Sequence, residues 1–138
     1  MEQRDYLKDQ IDQLGKVLGM LLARLVGAKP EEDYGQTERL VQQKLNEQLE
    51  ISFAELVDMP PEALVPRLQQ SPAFTSENLE QLAEVLVEMG KQKVDHQEDD
   101  SRKYLMQALG IYEYLSDHSR NFSLQWLEKI DALKKELA

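Results

Sequence analysis

Residues 79–90 read LEQLAEVLVEMG, and this stretch decides the fold class. Its apolar residues are spaced by three and four positions, which places them on one face of a helix; they are Leu79, Leu82, Ala83, Leu86 and Met89. The same spacing recurs along the rest of the chain, and no run of β-branched residues interrupts it. The sequence therefore predicts an all-α fold, a helical array that includes a long N-terminal helix.

The N-terminal helix is predicted from about residue 2 to residue 26. Its leucine stripe alternates spacings of four and three residues, and comprises Leu7, Ile11, Leu14, Leu18, Leu21 and Leu25. Gly27 and Pro30 then favour its end. The stripe predicts a helix that lies lengthwise across the second half of the chain.

A row of small residues lies beside this stripe. Gly15, Gly19 and Ala23 recur at every fourth position, and each interior glycine costs a helix roughly 1 kcal/mol relative to alanine. Small side chains in one row allow another helix to approach closely. The row predicts close helix packing there. The neighbour is either a helix of the same chain or the same helix of a second copy in a homodimer.

One domain is predicted over residues 1–138, with three parts. Residues 1–50 form an N-terminal helical hairpin, residues 51–74 a connector of short helices, and residues 75–138 a second hairpin with a capping helix.

Prolines and caps define the connector. The pattern from Ser52 to Glu55 is that of a capping box, so a short helix begins there. Pro60 ends that helix, Pro61 suits the first position of the next one, and Pro66 is predicted to break or kink it.

The second half resembles one tetratricopeptide repeat. The residues that carry the resemblance are Ala83, Leu86, Met89, Gly90, Leu105, Ala108 and Leu109. The resemblance implies that Gly90 lies where the two helices of the repeat pack most closely, and that residues 124–137 form the solvating cap of the array. It also implies that Val87, Lys91 and Val94 line a concave face that binds a partner.

The whole chain also resembles a family of short bacterial proteins that has no established activity. The resemblance rests on residues 4–7 (RDYL), on residues 11–14 (IDQL) and on the repeat-like second half. It implies the helical architecture and no particular chemistry.

Charge and composition exclude several classes of function. Asp and Glu total 26 against 16 Lys and Arg, a net charge of −10, which disfavours nucleic acid and anionic lipid as partners. The chain has no cysteine, which removes disulfides, thiolate nucleophiles and thiolate metal sites. The most apolar stretch, residues 17–26, is too short to span a bilayer and contains Arg24. These features predict a cytoplasmic protein that contacts neither nucleic acid nor membrane.

No residue pattern predicts catalysis or a cofactor. Residues 95–100 (DHQEDD) could offer oxygen ligands to a hard cation, but they lack the spacing and turn glycine of a calcium loop, so a solvated loop is expected. His96 and His118 are expected at the surface. Tyr104 and Tyr112 are expected in the core or a groove, and Tyr114 is expected to point outward.

The sequence therefore predicts a protein–protein interaction or adaptor module that is not an enzyme, with another protein or peptide as its partner. Self-association in a homodimer stays open. The alternative is an enzyme or ligand-binding protein with a buried pocket, which would need convergent polar groups inside the helical core.

Overall fold

The computed structural model describes residues 2–27, 34–49, 51–93, 98–119 and 123–138. This part of the chain contains helices and no strand, which confirms the all-α prediction. The helices are α1 (Glu2–Gly27), α2 (Tyr34–Gln48), α3 (Phe53–Asp58), α4 (Pro61–Leu68), α5 (Ser76–Lys93), α6 (Glu98–His118) and α7 (Leu124–Leu137). In the same residues no helix is long and apolar enough to cross a membrane.

Serine side chains cap the starts of α3 and α7, the first of them at the capping box that the sequence predicts. The Ser52 hydroxyl accepts a hydrogen bond from the Glu55 N–H at 3.1 Å, and the Ser123 hydroxyl accepts one from the Trp126 N–H at 3.3 Å. Pro66 does not break its helix, because α4 continues for two residues to Leu68.

The acidic run at residues 95–100 is expected from the sequence to be a loop or a frayed helix end. Its last three residues, 98–100, form the start of α6. Residues 94–97 lie outside the described residues.

Helices α5 and α6 form the most extensively packed pair. A Cβ atom placed on Gly90 would lie 2.7 Å from Leu105 Cδ2 and 3.3 Å from the Ser101 carbonyl oxygen. The Ser101 hydroxyl donates to the Gly90 carbonyl oxygen at 2.7 Å. Gly90 therefore lies at a close contact between the two helices.

Helix α1 lies along α5, and the two helices run parallel. The Asn78 side-chain amide donates to the Ile11 carbonyl at 3.1 Å, and the Gln92 amide donates to the Leu25 carbonyl at 2.5 Å. The leucine stripe of α1 is buried in this contact, as predicted; its fully buried members are Leu18, Leu21 and Leu25.

Helix α6 lies at the centre of the fold. It packs on α5 and α7, and it also holds the connector helices α3 and α4. The buried Gln107 side chain donates to the Leu56 and Met59 carbonyls at the end of α3, at 2.6 and 2.7 Å. Gly110 faces Pro61 at the start of α4.

The small-residue row of α1 is only partly covered within the chain. A Cβ atom on Gly15 would lie 3.1 Å from Asn78 Oδ1, so this position does pack closely against α5. A Cβ atom on Gly19 would meet no atom within 4 Å, and Ala23 is exposed. A neighbour from the same chain therefore explains Gly15 but not Gly19 or Ala23.

Candidate binding groove

A groove of about 450 Å³ runs between α1 and α7 above the α5–α6 hairpin. Helix α1 packs on α5 and α7 packs on α6, so the two outer helices leave a space between them. The lining residues are Leu22 and Val26 from α1, Glu84, Val87, Glu88 and Lys91 from α5, Leu105 and Tyr112 from α6, and Lys129, Ala132, Leu133 and Glu136 from α7. We call this space the α1–α7 groove.

The floor of the groove is apolar and about two helical turns long. Leu105 and Tyr112 on α6 are seven residues apart, which corresponds to about 10 Å along a helix. Both side chains are buried beneath the groove. Above them the α1 wall rises to Val26, whose side chain is 66% exposed. The groove therefore presents apolar surface from its floor to its rim.

A charged cluster closes one end of the groove. Lys129 Nζ lies 3.5 Å from Glu84 Oε1, donates to the Tyr112 hydroxyl at 3.3 Å, and sits 5.2 Å from the centre of the Tyr112 ring. The ammonium group thus has a carboxylate, a hydroxyl and an aromatic face as neighbours. These contacts tie α7 to α5 and α6 at this end.

Burial controls the ionisation of the tyrosine in this cluster. Burial raises the pKa of the Tyr112 hydroxyl well above its usual range, and the carboxylates of Glu84 and Glu80 raise it further. In the folded chain Tyr112 therefore stays protonated beyond the pH at which an exposed tyrosine ionises, in the uncharged state that suits the floor of an apolar groove.

We expect the free energy of unfolding of Tyr112→Phe to fall less steeply at high pH than that of the wild type. Below the ordinary tyrosine pKa of about 10 the hydroxyl is protonated in the folded and unfolded chains alike. Above it only the unfolded chain ionises Tyr112, so the free energy of unfolding falls, by up to about 1.4 kcal/mol per pH unit. Denaturant unfolding from pH 8 to pH 11 measures the slope. Tyr6→Phe, at a residue that is 66% exposed, is the control. Equal slopes for wild type and Tyr112→Phe would contradict the assignment.

Two of the three residues predicted to bind a partner line the groove. Val87 and Lys91 lie on its α5 wall, and Lys91 Nζ lies 3.8 Å from Glu88 Oε1. Val94 lies outside the described residues. The structure thus brings Val87 and Lys91 together on one concave surface, and their role in binding stays a prediction.

Sequence reasoning did not identify the α1 and α7 walls. Leu22 and Val26 widen the apolar stripe of α1 beyond the width that α5 covers, while Ala132 and Leu133 belong to the apolar stripe of α7. The width of the α1 stripe was a usable signal, because a stripe wider than one helix contact leaves apolar residues at its edge. The pairing of α1 with α7 across the groove left no signal in the sequence.

The other sequence candidates lie elsewhere. His118 is exposed, and its ring stacks on Tyr114 with centroids 4.1 Å apart. Tyr114 is half-buried, and its hydroxyl donates to Gln69 Oε1 at 3.0 Å, while Tyr104 is buried against Phe53. Within the described residues no group of three or more His, Cys, Asp or Glu side chains could hold a metal ion. His96 lies outside that part of the chain.

Comparisons of the chain with protein-family profiles, with curated protein sequences and with solved structures find no match. The tetratricopeptide-like organisation and the bacterial family resemblance therefore stay predictions.

Proposed function

We propose that this protein is an interaction module that binds a segment of another protein in the α1–α7 groove. The observation that carries the proposal is the groove itself, a largely apolar space between α1, α5, α6 and α7 that no other described residue fills. Concave apolar surfaces with a few polar groups at their edges are the usual form of a binding site. The proposed setting is the cytoplasm, in keeping with the absence of cysteine.

The resemblance to a tetratricopeptide repeat supports the same surface. It implies a concave face on the first helix of the hairpin, and Val87 and Lys91 of that helix are groove residues. On this view α7 is the capping helix of the array. The polar groups of the groove are three glutamates and two lysines at its edges, beside the buried Tyr112 hydroxyl. This arrangement supports binding more directly than a reaction at a buried site.

Selection from a random library of displayed 16-residue peptides tests the proposal. Peptides enriched on the wild-type protein should lose most of their binding to Val87→Glu, because a carboxylate in the apolar wall is costly to desolvate when the groove is filled. Leu127→Glu is the matched control, since Leu127 lies on α7, is 39% exposed and does not line the groove. Circular dichroism establishes that both variants are folded. If no enriched peptide distinguishes the two variants, the groove is not the binding site.

Self-association is the second candidate, and one observation favours it. On α1 the side chains of Met20 and Val26 are 46% and 66% exposed, and the space beside Gly19 is open. These residues and Ala23 form an outward apolar face that a second copy could cover.

Gly19→Leu separates the two candidates. We expect the variant to keep the molecular mass of the wild type in light scattering. We also expect it to be as stable or up to about 1 kcal/mol more stable, because leucine is the better helix former and no atom opposes it. A wild-type dimer that Gly19→Leu converts into a folded monomer would instead assign this face to a second copy.

A further inference from the structure

We infer that the occupant of the α1–α7 groove is an amphipathic helix with lysine or arginine residues flanking its apolar face. The inference rests on the proposed function and specifies the class of segment that the groove accepts.

The size of the groove admits one row of side chains from a helix. Its floor is about 10 Å long, which matches two helical turns. A helix with its side chains is about 10–12 Å across. A bound helix would lie along the rims of the groove and insert its apolar row, with anchors at positions i, i+3 or i+4, and i+7.

The walls favour a helix over an extended peptide. An extended peptide draws affinity from main-chain hydrogen bonds to an exposed strand edge. The groove is walled by the helices α1, α5 and α7 and has no strand edge. Away from the helix ends the main-chain groups of these walls are paired within each helix, so the walls offer chiefly side chains. A bound helix satisfies its own main chain and leaves no unpaired polar group in the apolar groove.

A polyproline segment also fits poorly. Such segments dock on aromatic surfaces. Among the described residues that line this groove, Tyr112 is the one aromatic, and its side chain is fully buried in the floor.

The charges around the groove favour a basic segment. Glu84 is paired with Lys129 at the closed end. At the opposite end Glu88 and Lys91 lie on one wall and the exposed Glu136 lies on the other, so among the described lining residues there two carboxylates stand against one ammonium group. The net charge of −10 adds a long-range attraction for a positive segment.

The same charge argues against a second copy as the occupant. Each copy carries −10, so two copies repel one another at low ionic strength. A basic helix from a different protein is attracted at long range by the negative charge of the chain, and at contact it packs on the apolar surface of the groove.

Three fluorescent synthetic peptides of 16 residues test this inference by anisotropy. They share leucines at helical spacing; the first has lysine flanks, the second has glutamate flanks, and the third has lysine flanks with a central proline that breaks the helix. We expect saturable binding of the first peptide and at least about tenfold weaker binding of the other two. Added salt should weaken the binding of the first peptide more than that of the other two.

A pair of charge reversals on α7 locates the interaction. Glu136→Lys should weaken the lysine-flanked peptide about fivefold, because it replaces attraction by repulsion at the rim. Glu128→Lys makes the same change in net charge at an exposed position of α7 that does not line the groove, and it should leave the affinity unchanged. An equal effect of the two variants would show non-specific attraction and overturn the inference.

The remaining outcomes separate this inference from the proposed function. The glutamate-flanked or the proline-containing peptide could bind as tightly as the first peptide or more tightly, and lose this binding in Val87→Glu. That outcome overturns the inference of a basic helix and leaves the groove as the binding site. If none of the three peptides binds but the binding of library peptides still depends on Val87, only the inference of a basic helix is overturned. If the binding of no library peptide depends on Val87 either, the inference and the proposed function are both overturned.

Discussion

Replacing Gly90 with leucine should lower the free energy of unfolding by about 2 kcal/mol. The first atom of the new side chain would lie 2.7 Å from Leu105 Cδ2, in a contact where α5 and α6 have no room for it. Overpacking of this kind typically costs 1–3 kcal/mol. The gain in helix propensity on replacing glycine, up to about 1 kcal/mol, offsets only part of the cost when the helices must move apart.

The same substitution at Gly19 is the control for Gly90→Leu. A Cβ atom at Gly19 would meet no atom of the described residues within 4 Å, so we expect the gain in helix propensity to dominate. Urea unfolding of the two variants and of the wild type measures the difference. A Gly90→Leu protein as stable as Gly19→Leu would show that the α5–α6 contact is looser than described here.

Replacing Gln107 with methionine should lower the free energy of unfolding by about 2 kcal/mol, chiefly by loosening α3. Pro60 has no N–H, so the Leu56 carbonyl lacks the main-chain donor four residues on that would continue the helix. The Gln107 amide supplies a donor there, and a second to the Met59 carbonyl. Methionine fills a similar volume and donates nothing, and a buried carbonyl left without a donor costs about 1–3 kcal/mol.

Gln125→Met provides the comparison for Gln107→Met. Gln125 is exposed on α7, so the same change there should alter the stability by no more than about 0.5 kcal/mol. Hydrogen exchange adds a local measurement, since the amides of α3 should lose protection in Gln107→Met before those of α5. Unchanged protection in α3 would contradict the role assigned to Gln107.

The sequence predicted the helices well because their signals are local. These signals act within a few residues: they are the spacing of apolar residues in α1 and α5, the serine caps at Ser52 and Ser123, and Pro61 at a helix start. Pro66 does not break α4, which continues to Leu68, and the alternative that it bends the helix stays a prediction.

The groove was only half predictable, for a physical reason. Val87 and Lys91 followed from the resemblance of one hairpin to a repeat, which is a relation between near neighbours in the chain. The opposite walls come from α1 and α7, whose residues are about a hundred positions apart. Their relation depends on how each packs on α5 and α6, and amphipathic periodicity describes the face of one helix without naming its neighbour.

The contact between Gly15 and Asn78 bears on an ambiguity that leucine stripes create. A stripe with alternating spacings of four and three repeats itself after seven residues, so α1 displaced by seven positions along α5 would still present leucines to the core. Such a displacement would bring Lys8 or Leu22 to the place of Gly15. A Cβ atom at that place would lie only 3.1 Å from Asn78 Oδ1. It would also take the Gln92 amide away from Leu25, whose carbonyl lies among the last four of α1 and has no partner within the helix. One glycine and two amides thus give a repetitive helix a single longitudinal alignment, much as one buried asparagine does in a coiled coil.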